Sequence, residues 1–124
     1  MNISGTWKYN EDFGHGKSAG EVKLTQNGTE VTGIFTFTEK VENDYEINVV
    51  EKVRGTISEG KVLLESIEVT ATQNGCSIDY LPNNFEVHLV SDNKLVGSTN
   101  DSEDVCGVFV LERMGNKKGA APIL

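Results

Sequence analysis

Little in this 124-residue chain favours a helix. Alanine occurs only four times, whereas Val, Thr and Ile together occur 31 times. Branched side chains are stiff at χ1 and suit a pleated surface, so the bias is toward strands. Proline is as scarce, and Pro82 and Pro122 both fall outside the alternating runs, so no strand loses a ladder donor to it. Histidine is limited to His15 and His88, neither with partners at metal-ligand spacing, and two cysteines do not complete a zinc site. Asn100-Asp101-Ser102-Glu103-Asp104 is rich in oxygen but lacks the glycine and spacing of an EF-hand loop. There is no Gly-rich phosphate loop, Gly-x-Ser-x-Gly elbow or nucleophile–base pair, and the expectation is a protein that is not an enzyme and carries no cofactor or metal. No run approaches the ~18 apolar residues of a membrane-spanning helix. Basic residues are outnumbered 11 to 19, for a net charge of −8. A polyanion is repelled by such a surface, which argues against nucleic acid as a partner.

What the chain has instead is period-2 alternation from end to end. Strands are expected near 5–11, 20–26, 30–39, 44–57, 61–72, 84–91, 94–100 and 105–113. Turn residues separate them, among them Gln26-Asn27-Gly28-Thr29, Ser58-Glu59-Gly60 and Ser91-Asp92-Asn93. The stretch 73–83 reads as one long irregular connection. Short links between neighbours imply an antiparallel meander. Glycine recurs in phase with large apolar residues in Val31-x-Gly33-x-Phe35, Val53-x-Gly55-x-Ile57, Leu95-x-Gly97 and Gly107-x-Phe109. Inward glycines permit tight coiling, which favours a closed barrel over a two-sheet sandwich. The expected fold is therefore all-β: a single antiparallel up-and-down barrel of about eight strands over residues 1–114, followed by a flexible tail at 115–124.

Gly5-Thr6-Trp7 opens the first strand and Arg113 closes the last. This pairing resembles that of the calycin superfamily (lipocalins, fatty-acid-binding proteins and avidins). There a Gly-x-Trp near the start of the first strand packs beneath an Arg near the end of the last. The resemblance covers 1–114 by architecture and implies that Trp7 plugs one barrel end with Arg113 over its face. Fatty-acid-binding proteins place two helices after the first strand, for which 9–20 is too short and glycine-rich, and their final Arg-x-Tyr is missing, since Met114 and Gly115 follow Arg113. Avidin sites use several tryptophans, and this chain has one. The C-terminal helix of classical lipocalins has no counterpart in 116–124. The resemblance is thus to a lipocalin-like bacterial barrel, and it implies a binding function with no particular ligand attached.

Two carboxylates interrupt apolar strand faces. Glu51 falls in phase with Tyr45, Ile47, Val49 and Val53, and Glu65 in phase with Leu63, Ile67 and Val69. The Ser58–Gly60 turn makes the two strands neighbours, so both glutamates are placed in the interior unless a β-bulge flips the phase. With Tyr45, Phe35 and Phe37 they form the candidate ligand-binding set, suited to a polar or cationic group. Cys76 and Cys106 enclose a loop of about 30 residues, and a disulfide there stabilises by about 3–4 kcal/mol on the chain-entropy model. The expectation is that this bond forms and that the location is extracytoplasmic, periplasmic or secreted, whereas two free thiols would point to the cytoplasm. Met1 runs directly into Asn-Ile-Ser-Gly, with no signal peptide in view.

The functional expectation is a non-catalytic binding barrel for a small apolar or amphipathic ligand. The alternative is a protein-interaction module, an inhibitor or surface accessory domain, acting through loops and outer wall. Ile34, Val50, Val62, Leu64, Val108 and Val110 count as outward on the simple alternation, a surface suited to a protein partner or to self-association into a homo-oligomer. An open, partly polar interior supports the first reading and a filled interior the second.

Overall fold

A computed structural model describes residues 2–100 and 107–114 of the chain. They form nine strands: β1 (Gly5–Asp12), β2 (Gly16–Asn27), β3 (Glu30–Val41), β4 (Glu46–Ser58), β5 (Lys61–Gln73), β6 (Cys76–Ile78), β7 (Asn84–Ser91), β8 (Lys94–Asn100) and β9 (Gly107–Arg113). All pairings are antiparallel. The order is β4-β3-β2-β1-β9-β8-β7-β5, and the β4–β5 pairing closes it into an eight-strand up-and-down barrel. Closure removes the free edges that an open sheet of this composition exposes. The hairpins follow local chemistry. Glu59 and Gly60 both have positive φ, at 52° and 77°, as a two-residue type I′ turn requires.

The ninth strand comes from a second such turn. Asn74 and Gly75, at φ 53° and 81°, fold β6 back on the end of β5. The stretch 73–83, expected to be irregular throughout, therefore opens as a hairpin. β5 carries β7 along its first half and β6 along its last three residues. Between these two partners the segment 79–83 reaches the barrel wall.

The inner face is packed from one end upward. Trp7 is fully buried, donates its indole N–H to the Ile3 carbonyl at 3.0 Å, and lies beneath the Arg113 guanidinium, 4.4 Å from the ring centroid. Arg113 also donates to the carbonyls of Ser4, Asn2 and Asp92 at 2.8, 3.0 and 2.7 Å. The last strand thus clamps the first and its leading residues over the closed end. Above Trp7 the rings of Tyr9, Phe35, Phe85 and Phe109 fill the centre. Phe35 stacks on Phe85 at 4.2 Å, and Tyr9 and Phe109 meet the pair edge-on or tilted at 5.5–5.9 Å. Inward glycines let the strands coil around this stack. A methyl on Gly55 would overlap the Leu63 carbonyl oxygen, so no other residue fits there.

One expectation of strand phase is corrected. The β4–β5 register runs Lys52↔Glu68 and then Val53↔Ser66, which leaves Ile67 as an extra residue in a β-bulge. Below the bulge the faces of β5 exchange. Val62 and Leu64, assigned to the outer wall by simple alternation, are buried, whereas Leu63 and Ile67 are exposed. Glu65 points to solvent, 3.3 Å from Arg54, and does not enter the interior. Ile34, Val50 and Val108 do lie exposed on the outer wall, and Val110 is half-buried. Cys76 is an exposed free thiol on β6. Cys106, the Asn100–Asp104 stretch beyond Asn100, and the tail from Gly115 lie outside the described residues.

Candidate functional site

The end of the barrel opposite Trp7 is open and acidic. Three glutamates project inward there, each continuing the apolar phase of its strand: Trp7-x-Tyr9-x-Glu11 on β1, Phe35-x-Phe37-x-Glu39 on β3, and Val49-x-Glu51-x-Val53 on β4. Each is held by neutral donors. Tyr9 donates to Glu11 at 2.5 Å, and Thr99 on β8 donates a second, short bond to the same carboxylate. Tyr45 and Tyr80 donate to the two oxygens of Glu39 at 3.0 and 2.5 Å. Glu51 is fully buried, and Asn83 covers it with its backbone N–H at 2.8 Å and its side-chain amide at 3.1 Å. These bonds answer the cost of burying the carboxylates.

Above them lies a cavity of about 440 Å³, lined by Glu11, Phe13, His15, Glu39, Tyr45, Asp79 and Tyr80 together with Ile47, Leu81, Asn83 and Thr99, and Glu51 lies beneath it under Asn83. That volume falls within the range of small-molecule sites. Gly107 belongs to its wall for a steric reason. A methyl there would overlap a Glu11 carboxylate oxygen, so glycine makes the room in which that carboxylate lies. A second depression of about 400 Å³ lies on the outer wall over β4, β5, β7 and β8. Of its charged residues, Arg54 and Glu65 pair with each other and Glu86 pairs with His88, so they do not converge on a common point.

The electrostatics of the mouth are set by low solvent access and by the mutual repulsion of its acids. Burial raises the Glu51 carboxyl above its ordinary value, opposed by the Asn83 and Ser66 hydrogen bonds and reinforced by the charge of Glu11. Burial also raises Glu11, against the Thr99 and Tyr9 donors and with the Glu39 charge. Tyr45 is pushed up to about 12, first by loss of solvent and then by Glu39. Tyr9 and Tyr80 rise for the same reasons, beside Glu11 and Glu39 respectively. All three phenols therefore stay protonated as donors near neutral pH.

Of the residues singled out from sequence, Tyr45 lines the cavity, and Glu51 lies beneath it, level with Phe35 and covered by Asn83. Phe35 and Phe37 lie below the cavity, buried in the core and outside its lining, and Glu65 is on the opposite side of the wall. Glu11 and Glu39 were missed, although the phase count that identifies Glu51 places them inward as well. Tyr80 and Asn83 carried no signal, because they sit in an aperiodic link. His15 lies at the rim with its ring edge-on to Phe13, centroids 5.1 Å apart. His88 is on the outer wall, 2.9 Å from Glu86. Among the described residues no three His, Cys, Asp or Glu side chains are grouped to hold a metal ion.

No protein-family model matches the chain, and no curated protein matches it. Among solved structures it is similar to a redesigned β-barrel, mFAP1, bound to DFHBI, with TM-score 0.63 and 12% identity over 90% of this chain and 94% of that one. It is likewise similar to a de novo designed fluorescence-activating β-barrel, with TM-score 0.61 and 13% identity over 91% and 94%. A second redesigned barrel bound to DFHBI, mFAP0, gives TM-score 0.60 and 14% identity over 90% and 98%. At such identities the likeness establishes the fold, an eight-strand antiparallel barrel, and not the function.

Proposed function

We propose that this protein is a non-catalytic barrel that takes a small molecule in its open, acidic mouth. The observation that carries the reading is convergence: oriented carboxylates from β1 and β3, Phe13 and Tyr45 from the connecting turns, and Tyr80 from the 79–83 link meet around one cavity of about 440 Å³. The aromatic stack fills the barrel below, so a ligand enters the mouth without reaching the centre. Two of the designed barrels of this shape hold a small molecule, DFHBI, which supports the capacity of the architecture for such cargo. The Trp7–Arg113 clamp is the calycin-like feature of the chain, and it leaves the opposite end free for binding.

Ile47 lines the mouth directly across from Glu39 in the β3–β4 register, so Ile47→Trp fills the cavity while every carboxylate stays in place in the chain. Saturation-transfer NMR with a panel of small aromatic compounds tests the reading. Transfer to at least one compound with the natural protein, lost in Ile47→Trp, is expected. Transfer that survives Ile47→Trp but disappears on Val108→Lys moves binding to the outer wall. That result favours the interaction-module reading, for which the exposed Ile34, Val50 and Val108 are the supporting observation.

A further inference from the structure

The mouth is lined by the carboxylates of Glu11, Glu39 and Asp79, with Glu51 buried beneath Asn83, and has no matching cation. Among the described residues that line it, none is a lysine or arginine, and His15 at the rim is the one side chain able to take a positive charge. The nearby lysine Lys40 is turned outward and pairs with Glu46 at 3.3 Å. The hydrogen bonds present do not exhaust the acids. Glu11 and Glu39 each accept two donors, whereas a carboxylate has about four lone-pair sites.

A second feature points to the same place. Ser18 on β2 is paired in register with Glu11 on one side and Glu39 on the other. It lies on the inner face beneath the residues that line the cavity, 2% exposed, and its hydroxyl has no hydrogen-bond partner. Buried hydroxyls are ordinarily satisfied, so an unpartnered one between two carboxylates marks a position where a donor group fits. The backbones of β1 and β3 stand about 10 Å apart across β2, twice the ordinary strand spacing. Glu11 and Glu39 are close enough for the charge of one to act on the other, and a small cation between them would answer both. The rings of Phe13, Tyr45 and Tyr80 lie around the same opening and offer faces for a flat body and for cation–π contact.

We propose that the mouth is a site for a protonated primary amine on a flat aromatic body, its ammonium between Glu11 and Glu39 beside the Ser18 hydroxyl. The three N–H donors of such a group match the two carboxylates and the one orphan hydroxyl. The inference rests on the reading of the mouth as a small-molecule site and names the class of ligand.

Three indole compounds of nearly equal size separate the two claims: tryptamine as the cation, tryptophol as the neutral analogue and indole-3-propionate as the anion. Each is titrated at pH 7.5 and low salt into the isotope-labelled protein, and amide shifts are followed by NMR. Tryptamine is expected to shift the amides of Glu11–His15, Glu39–Ile47 and Asp79–Asn83 and to bind at least tenfold tighter than tryptophol, with no binding of the anion. Glu39→Gln keeps the side-chain shape and one acceptor oxygen, sets an N–H opposite the other tyrosine, and removes the charge. It is expected to cost tryptamine about tenfold and so to remove its preference over tryptophol. Equal binding of tryptamine and tryptophol at those amides, or a tryptamine preference that persists in Glu39→Gln, overturns the amine assignment while the mouth remains a binding site. Absence of mouth shifts with all three compounds overturns both.

Discussion

Trp7 and Glu51 are buried to the same extent and depend on opposite kinds of partner. Trp7 is held by packing, by the Ile3 carbonyl and by Arg113. Trp7→Ala is expected to destabilise by about 3–5 kcal/mol in chemical denaturation, as large aromatic deletions do. Glu51 is held by polar bonds in a place that penalises its charge. Its folded carboxyl titrates above the ordinary value of 4.5, so stability is greatest below that value and is lost as pH rises through the raised one. Glu51→Gln stays neutral and should flatten that decline, read as the slope of unfolding free energy as pH rises from the ordinary carboxylate value. An unchanged slope means that the carboxyl titrates normally. Both residues were legible in the sequence, Trp7 from its place in Gly-x-Trp opposite a terminal Arg, and Glu51 from its phase among apolar neighbours. Glu11 and Glu39 had the same legible phase. They escaped notice because each sits at the end of its run, where a charged residue ordinarily marks the strand leaving the core.

At the scale of the element, alternation predicted the strands well and failed where one residue was added. The bulge at Ile67 is invisible to a count of twos, since Val62, Leu63 and Leu64 are all apolar and either phase gives a plausible face. The consequence reached the site: Glu65 was placed beside Glu51 and instead pairs with Arg54 outside. The corrected phase has a simple test. Leu64→Ala is expected to cost about 2–5 kcal/mol and Leu63→Ala less than about 1 kcal/mol, measured by denaturant unfolding. Comparable losses, or the reverse order, contradict the bulge. The other missed element, β6, rests on Asn74-Gly75. That turn signal was present in the sequence, but a three-residue strand is too short to show a period of its own. The link that follows β6 supplies Tyr80 and Asn83 by tertiary position alone, and local sequence does not determine which side chains of such a link turn inward.

On the scale of the whole molecule, the barrel divides along its axis. One end is sealed by Trp7, Arg113 and the leading residues, the middle is filled by stacked rings, and the far end opens on carboxylates with no lysine or arginine among the described residues that line it. The closed architecture was legible because it depends on repeated features: strands throughout, short turns and inward glycines. The mouth was legible only in part, because it is assembled from the ends of β1, β3, β4 and β8 with one aperiodic link. Its depth limits cargo to what fits about 440 Å³ above the core. The most direct measurement is a crystal structure of the protein soaked with tryptamine. Density for the indole among Phe13, Tyr45 and Tyr80, with the amine between Glu11 and Glu39, is the predicted result. Density confined to the outer-wall depression beside Arg54 and Glu65, or lodged between Phe35 and Phe85 in an opened core, would contradict it.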